Sequence, residues 1–97
     1  MTGVVVPSAG RTPGEVRADL ERRGLGLHSW GNGPGETYGW HDHPYRKTLV
    51  CLEGTIVFHT DDGDLPLAPG DVLELPAGTR HAATVGPAGV CCAEAST

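Results

Sequence analysis

Short β-prone runs separated by glycine and proline turns are the feature of this sequence that most restricts its fold. The runs recur from residue 27 onward, at 27–30, 37–43, 47–52, 55–60, 64–67, 71–75, 81–85 and 90–93. Glycine (15 residues) and proline (8 residues) supply the predicted turns between them, including Glu53-Gly54 and Gly86-Pro87, and show no collagen-like period. Many short strands joined by such turns are typical of a β-sandwich or barrel. The sequence therefore predicts an all-β fold.

One helix is predicted ahead of the strands. Residues 12–15 form the pattern of a capping box, with a hydroxyl at the N-cap, proline at the first helical position and glutamate three residues after the cap. Val16 and Leu20 are four residues apart and therefore share one face. Because glycines follow closely and end the helix, we expect it at about residues 13–23, packed against the outside of the sheet.

The chain has 97 residues, a length that fits one domain and leaves no room for two. We interpret residues 1–26 as an N-terminal arm with the helix and residues 27–97 as the barrel, within a single domain overall. A barrel this short leaves sheet edges and faces exposed, and closed two-fold pairing is the usual way to cover them. The chain is therefore expected to form a homodimer.

The charge balance excludes two classes of partner. The chain has 7 Lys and Arg residues against 12 Asp and Glu residues, which gives a formal net charge of −5. Nucleic acids and anionic membranes both require a basic face, which this composition does not provide. No apolar run approaches the roughly 18 residues of a membrane-spanning helix. We therefore expect no nucleic-acid partner and no membrane partner.

Three cysteines, Cys51, Cys91 and Cys92, form an odd set without the spacing of a disulfide framework. Such a set is typical of reduced thiols in the cytosol, so the sequence predicts a cytoplasmic location. Cys91 and Cys92 are neighbours on a predicted strand and point to opposite faces, which disfavours a bond between them. We interpret the cysteines as small buried hydrophobic side chains.

Three of the five histidines form a pattern that carries chemistry. His41 and His43 are two residues apart on a predicted strand, so both side chains point to the same face. His81 begins a later strand, and a barrel that brings the two strands together would gather three imidazoles. Neutral imidazole suits zinc, iron, copper and nickel, and three protein ligands leave positions open for water or substrate. The sequence therefore predicts one divalent transition metal on His41, His43 and His81.

Strand alternation also assigns the side chains around this cluster. His59 falls on the face opposite to the core-facing residues of its strand, so we interpret it as structural or solvent-exposed. Tyr38 and Trp40 are out of phase with His41 and are expected to face away from the metal. Tyr45 lies in the loop after the histidine pair and is a candidate for the rim of the pocket.

Two segments resemble the two characteristic sequence motifs of the cupin family. The residues that match the first motif are Gly35, His41, His43 and Gly54. The residues that match the second motif are Gly70, Pro76, Gly78 and His81. The usual closing asparagine would fall at Val85, and the resemblance covers roughly residues 30–93. It implies a small single-domain cupin with a double-stranded β-helix, or jelly-roll barrel, and a metal near its open end.

Lys47 is the position at which this chain departs from the family. The first motif carries a metal-binding glutamate there, and an ammonium group cannot bind a metal. The resemblance therefore implies a three-His site, similar to those of cysteine dioxygenase-like and β-diketone-cleaving cupins. Lys47 is a candidate catalytic or substrate-anchoring group that would make the empty pocket strongly positive. The alternative is a salt bridge to Glu36 or Glu53, or a side chain that extends out of the barrel.

These features support hypotheses from different functional classes. The first is a metal-dependent dioxygenase that acts on a small anionic molecule, such as one bearing a carboxylate. The second is a non-catalytic small-molecule-binding or sensor cupin, and the third is a barrel whose histidines are only hydrogen-bonded in a cavity. The fold does not choose between them, because this barrel supports many chemistries. The metal is left open among iron, zinc, nickel, manganese and copper.

Overall fold

The computed structural model describes residues 2–97, which form one helix and seven strands. The elements are β1 (Val4–Val6), α1 (Pro13–Arg22), β2 (His28–Asn32), β3 (Thr37–His41), β4 (Lys47–Thr60), β5 (Gly63–Leu67), β6 (Val72–Leu75) and β7 (His81–Ser96). All strand pairs are antiparallel, in the order β1-β6-β4-β7-β2, with β3 added on β7 and β5 added on β4. The predicted all-β jelly-roll barrel with one short N-terminal helix is confirmed.

The two longest strands, β4 and β7, form the frame of the barrel. They pair with each other over nearly their whole length. On its other edge, β4 pairs first with β6 and then with β5, while β7 pairs first with β3 and then with β2. Each long strand therefore passes from one layer of the barrel to the other. The main core lies between the layers and consists of Leu49, Cys51, Ile56, Phe58, Leu67, Leu73, Leu75, Ala83, Val85, Val90 and Cys92.

The prediction of turns at Glu53-Gly54 and Gly86-Pro87 is wrong, because both pairs lie inside continuous strands. The register of β4 against β7 shifts on both sides of Gly54, which is the mark of a β-bulge. Gly54 has a φ of +72° and Gly89 a φ of +79°, conformations that favour glycine. A bulge bends a strand without ending its pairing. Gly54 and Gly89 therefore allow β4 and β7 to bend within the barrel wall, and they do not divide these strands into shorter ones.

Helix α1 begins with the predicted capping box. The backbone N–H of Glu15 donates to the Thr12 hydroxyl at 3.2 Å, and the backbone N–H of Thr12 donates to the Glu15 carboxylate at 2.9 Å. Val16 and Leu20 are buried against β4, β6 and β7 on the outer face of the sheet. The helix ends at Arg22, one residue earlier than predicted. No helix in the described part of the chain has the length and apolar character needed to span a membrane.

Strand β1 is not evident from the sequence pattern. It pairs with β6 and forms an edge of the sheet, so part of the N-terminal arm belongs to the barrel wall. The side chains of Val4 and Val6 on this edge strand are exposed. An exposed apolar edge is compatible with pairing between two copies of the chain. The homodimer and the division of the chain at residue 26 stay predictions.

The cysteines are all free. Cys51 and Cys92 are fully buried and lie directly opposite each other on β4 and β7, whereas Cys91 is half-buried. The hydrogen bond with Cys51, together with burial, raises the pKa of the Cys92 thiol. Cys92 therefore remains protonated at neutral pH. Both residues pack as small hydrophobic side chains, as the sequence predicts.

Replacing Gly54 with alanine tests whether the bulge in β4 is required. A Cβ at this position would overlap the backbone of Gly89, and the new residue would have to keep a positive φ. We expect Gly54→Ala to lower the free energy of unfolding by about 3 kcal/mol or more, measured by urea denaturation. Gly14→Ala is the control, because nothing lies within 4 Å of a Cβ there. Equally small effects in both variants would contradict the close approach of β4 and β7.

Candidate metal centre

A cavity of about 340 Å³ opens at one end of the barrel. Strands β2, β3, β4 and β7 and the loop of residues 42–46 form its wall. The lining side chains are His28, Trp30, Tyr38, His41, His43, Tyr45, Lys47, Phe58, His81, Ala83 and Glu94. The three histidines and the lysine singled out from the sequence therefore line one cavity.

The three histidines reach this cavity from two segments of the chain. His41 ends β3 and lies opposite His81, which begins β7. The predicted strand 37–43 ends at His41, so His43 reaches the cavity from the following loop. The backbone N–H of Gly78 donates to the carbonyl oxygen of His43 at 2.8 Å. This hydrogen bond joins that loop to the turn that precedes His81.

The geometry of the three imidazoles is that of a candidate metal site. The ring centroids of His41 and His81 are 4.3 Å apart, those of His41 and His43 are 4.7 Å apart, and those of His43 and His81 are 5.3 Å apart. One potential ligand atom from each residue lies within 4.8 Å of the other two. The rings are thus arranged around a common point in the cavity.

A bulge in β3 changes which side chains face the cavity. The register of β3 against β7 shifts between Tyr38 and His41. Because of the extra residue, both side chains line the cavity, and the prediction that Tyr38 faces away from the site is wrong. Trp40 faces outward as predicted, and the guanidinium of Arg80 lies 4.4 Å from its ring centroid.

Hydrogen bonds hold two of the imidazoles through their Nδ1 atoms. Nδ1 of His41 is 2.6 Å from the carbonyl oxygen of Gly39, and Nδ1 of His81 is 2.8 Å from that of Thr79. Because a carbonyl oxygen only accepts, each Nδ1 carries a hydrogen, which leaves Nε2 as the atom for a ligand. Nε2 of His81 is buried and has no hydrogen-bond partner in the described part of the chain. Such an atom is unfavourable when left alone, so these residues fit a metal ion.

The surroundings of His43 and His81 keep both rings neutral. Burial lowers the pKa of both side chains, and the positive charge of Lys47 lowers them further. Tyr45 stacks on His43 with ring centroids 4.7 Å apart, which places this tyrosine at the predicted rim of the cavity. Neutral imidazole is the form that binds a metal.

Lys47 lies in the cavity wall beside the imidazoles. Among the described residues, its salt-bridge partner is Glu94 of β7, and neither Glu36 nor Glu53 takes that place. Nζ of Lys47 is 3.6 Å from Oε1 of Glu94, and both side chains are 12% exposed. The carboxylate of Glu94 offsets the ammonium, and the expected positive charge of the pocket beside a bound dication stays a prediction. A catalytic role for Lys47 stays a prediction.

Glu94, His28 and Trp30 are cavity residues that the sequence pattern did not single out. Nε1 of Trp30 donates to Oε1 of Glu94 at 2.6 Å. The predicted strand 90–93 stops one residue before Glu94. Continuing its alternation from Cys92 would have placed Glu94 on the inner face, so a signal was present for this residue.

His59 lies on the outer face of β4, as predicted. Its Nδ1 is 2.7 Å from Oδ1 of Asp64, and its Nε2 is 2.8 Å from Oγ1 of Thr84. Both ring nitrogens therefore have side-chain partners on neighbouring strands. This histidine has a structural role outside the cavity.

The part of the chain that contains His41, His43 and His81 matches a known protein family. A family model described as "Cupin domain" matches residues 31–88. The chain belongs to the cupin family. The resemblance of its two segments to the cupin motifs is thereby confirmed.

Similar proteins match this chain over different lengths. Quercetin 2,3-dioxygenase of Bacillus subtilis is 45% identical over 42 residues, which are 42% of this chain and 12% of that enzyme. A cupin superfamily protein of Desulfitobacterium hafniense matches 72% of this chain and 63% of its own, with a TM-score of 0.66 and 24% identity. A DUF861 family protein of Thermotoga maritima matches 99% of this chain and 100% of its own, with a TM-score of 0.68 and 18% identity. The chain thus spans a small part of the dioxygenase and less than two thirds of the D. hafniense protein.

The metal-free protein should keep its stability between pH 8 and about 6.5 and lose stability as the pH falls further. The pKa values of His43 and His81 are lowered in the folded chain, so the unfolded chain binds more protons below the ordinary histidine pKa of about 6.5. Their contribution to stability is therefore complete above about pH 6.5 and is lost as the pH falls through the lowered values. Urea midpoints measured with a chelator present should decrease over this range. An identical decrease in the His43→Gln/His81→Gln variant would contradict the assignment.

Proposed function

We propose that this cupin binds one divalent transition metal through His41, His43 and His81 and acts as a metal-dependent oxygenase on a small anionic organic molecule. The observation that carries the proposal is the convergence of the three imidazoles, with the buried Nε2 of His81 left without a protein partner. Iron, zinc, nickel, manganese and copper all accept such ligands. The oxygenase hypothesis requires a redox-active ion, and iron, manganese and copper meet that requirement, whereas zinc does not change oxidation state.

The cavity suits a small organic ligand. Its volume of about 340 Å³ lies at the lower end of small-molecule sites, and its wall combines aromatic rings with one lysine and one glutamate. A bound metal would supply open coordination positions and a positive charge. Tyr45 and Tyr38 would border the ligand, and Lys47 would donate hydrogen bonds to an anionic oxygen. The similarity to quercetin 2,3-dioxygenase supports an oxygenase over the matched segment.

A second candidate function is a non-catalytic small-molecule-binding or sensor cupin. The observation that favours it is the ion pair of Lys47 and Glu94 at the position where the family motif carries a metal-binding glutamate. A charged pair of this kind can bind a polar small molecule in a protein that catalyses no reaction. Oxygen uptake with small thiols and diketones, measured on the iron-loaded protein, separates the two functions. Stoichiometric metal without turnover of any substrate would favour the sensor.

His81→Ala tests the metal site directly. Removing the buried ligand should weaken metal binding at least about a hundredfold, because two imidazoles no longer enclose the ion. Metal content after gel filtration, measured by mass spectrometry, should fall from about one ion per wild-type chain to a small fraction. Metal binding should also weaken below about pH 6, since imidazole must be neutral to ligate.

His59→Ala is the matched control for this experiment. It removes the imidazole of β4 whose two ring nitrogens form hydrogen bonds with Asp64 and Thr84 outside the cavity. The control should retain the metal content of the wild type. Wild-type metal content in a variant with all three cavity histidines replaced by alanine would show that the site is elsewhere.

Lys47→Met tests the preference for anionic ligands. Methionine keeps much of the lysine side-chain length and removes the charge, so metal content at saturation should stay near wild type. The affinity of the metal-loaded protein for small carboxylates should fall about tenfold, measured by calorimetry. Unchanged carboxylate affinity in Lys47→Met would show that Lys47 does not bind the anionic ligand and has a structural role.

Two further features stay predictions of the sequence. The homodimer is supported by the exposed edge strand β1, and a mass of twice 10.1 kDa by light scattering is the expected result. The cytoplasmic location is supported by the three free cysteines.

A further inference from the structure

The register of β4 against β7 places Lys47 and Glu94 next to each other in the cavity wall. Glu94 pairs with Leu49, two residues along β4 from Lys47, so the lysine and the glutamate both point inward side by side. Their charged atoms, Nζ and Oε1, are 3.6 Å apart, and each side chain is 12% exposed. Nε1 of Trp30 donates to the same carboxylate oxygen at 2.6 Å. The carboxylate is therefore held in place by two partners.

This pair shares its cavity with the three histidines. A divalent ion bound by His41, His43 and His81 would lie near the ammonium of Lys47. Like charges in a partly buried site repel each other more strongly than in water, because the effective dielectric constant is lower. A lysine without a counter-charge would therefore oppose metal binding.

We propose that Glu94 is a positioning residue that holds Lys47 and offsets its charge, so that the three-His site binds a divalent ion beside an ammonium group. The proposal rests on the proposed function, because it requires metal on the three histidines. An anionic ligand competes with Glu94 for Lys47. The same carboxylate therefore strengthens metal binding and weakens the binding of anions, and it sets the balance between the two.

The first test measures Zn²⁺ affinity by competition with a chromophoric chelator in the wild type, Glu94→Gln, Lys47→Met and the double variant. Glutamine keeps an acceptor for Trp30 and removes only the charge. Glu94→Gln should weaken Zn²⁺ binding about tenfold, Lys47→Met should tighten it about threefold, and the double variant should lie within about twofold of the wild type. This return in the double variant is the readout that a structural role of Glu94 would not produce.

Glu74→Gln is the matched control. It makes the same substitution in an ion pair outside the cavity, where Glu74 accepts from Arg46 at 2.9 Å. Its Zn²⁺ affinity should lie within about twofold of the wild type, since its charge is screened by solvent. Equal effects of Glu94→Gln and Glu74→Gln, or a loss in Glu94→Gln that persists in the double variant, would overturn the proposal.

The second test measures benzoate binding to the Zn²⁺-saturated proteins by calorimetry. Glu94→Gln should tighten benzoate binding about threefold, because Lys47 is released, whereas Lys47→Met should weaken it about tenfold. Changes of the same sign in the two variants would contradict the proposed competition. A wild type that does not bind Zn²⁺ would overturn the proposed function as well, whereas normal Zn²⁺ binding without an effect of Glu94→Gln would overturn this inference alone.

Discussion

The antiparallel pairing of β4 with β7 is the interaction on which the candidate site depends. It fixes the inward position of Lys47 at the start of β4 and of Glu94 near the end of β7. Strand β3 in turn pairs with the first part of β7, which puts His41 opposite His81. Residues that are distant in sequence therefore meet through one pair of strands. A one-residue shift in the register of this pair would therefore separate Lys47 on β4 from Glu94 on β7.

The bulges allow these two strands to belong to both layers of the barrel. A straight strand of 14 residues, the length of β4, would run past the end of a small barrel. At Gly54, strand β4 bends instead, and its backbone lies close to that of Gly89. The pairing with β7 continues beyond the bend. A bulge in β3 likewise places the side chain of Tyr38 in the cavity wall together with that of His41. Bulges therefore decide both the closure of the barrel and the composition of its cavity.

The sequence predicts the fold class, the capped helix and the three histidines, because each depends on local patterns. The capping box needs only residues 12–15, and the spacing of the two cupin motifs places His41, His43 and His81 without knowledge of the register. Glycine in a bulge and glycine in a turn have the same local signature, so the continuity of β4 and β7 was not predictable from local residues. The partner of Lys47 was missed for a similar reason. Glu94 is 47 residues away in sequence, and only the register of two paired strands brings its carboxylate to the lysine.

The rest of the barrel holds the cavity side chains in a fixed arrangement. Burial lowers the pKa of His43 and His81, and Nε2 of His81 has no protein partner among the described residues. Backbone carbonyls orient two of the rings, and the hydrogen bond from Gly78 fixes the position of the His43 loop. Because these groups are ordered before any ligand arrives, an ion that binds them loses little free energy to rearrangement. The same preorganisation explains why a carboxylate held by Trp30 and Lys47 would not serve as a fourth ligand. Glu94 is not among the residues whose ligand atoms lie within 4.8 Å of one another, and to join them it would have to break its contacts with Lys47 and Trp30 and leave the ammonium without a counter-charge.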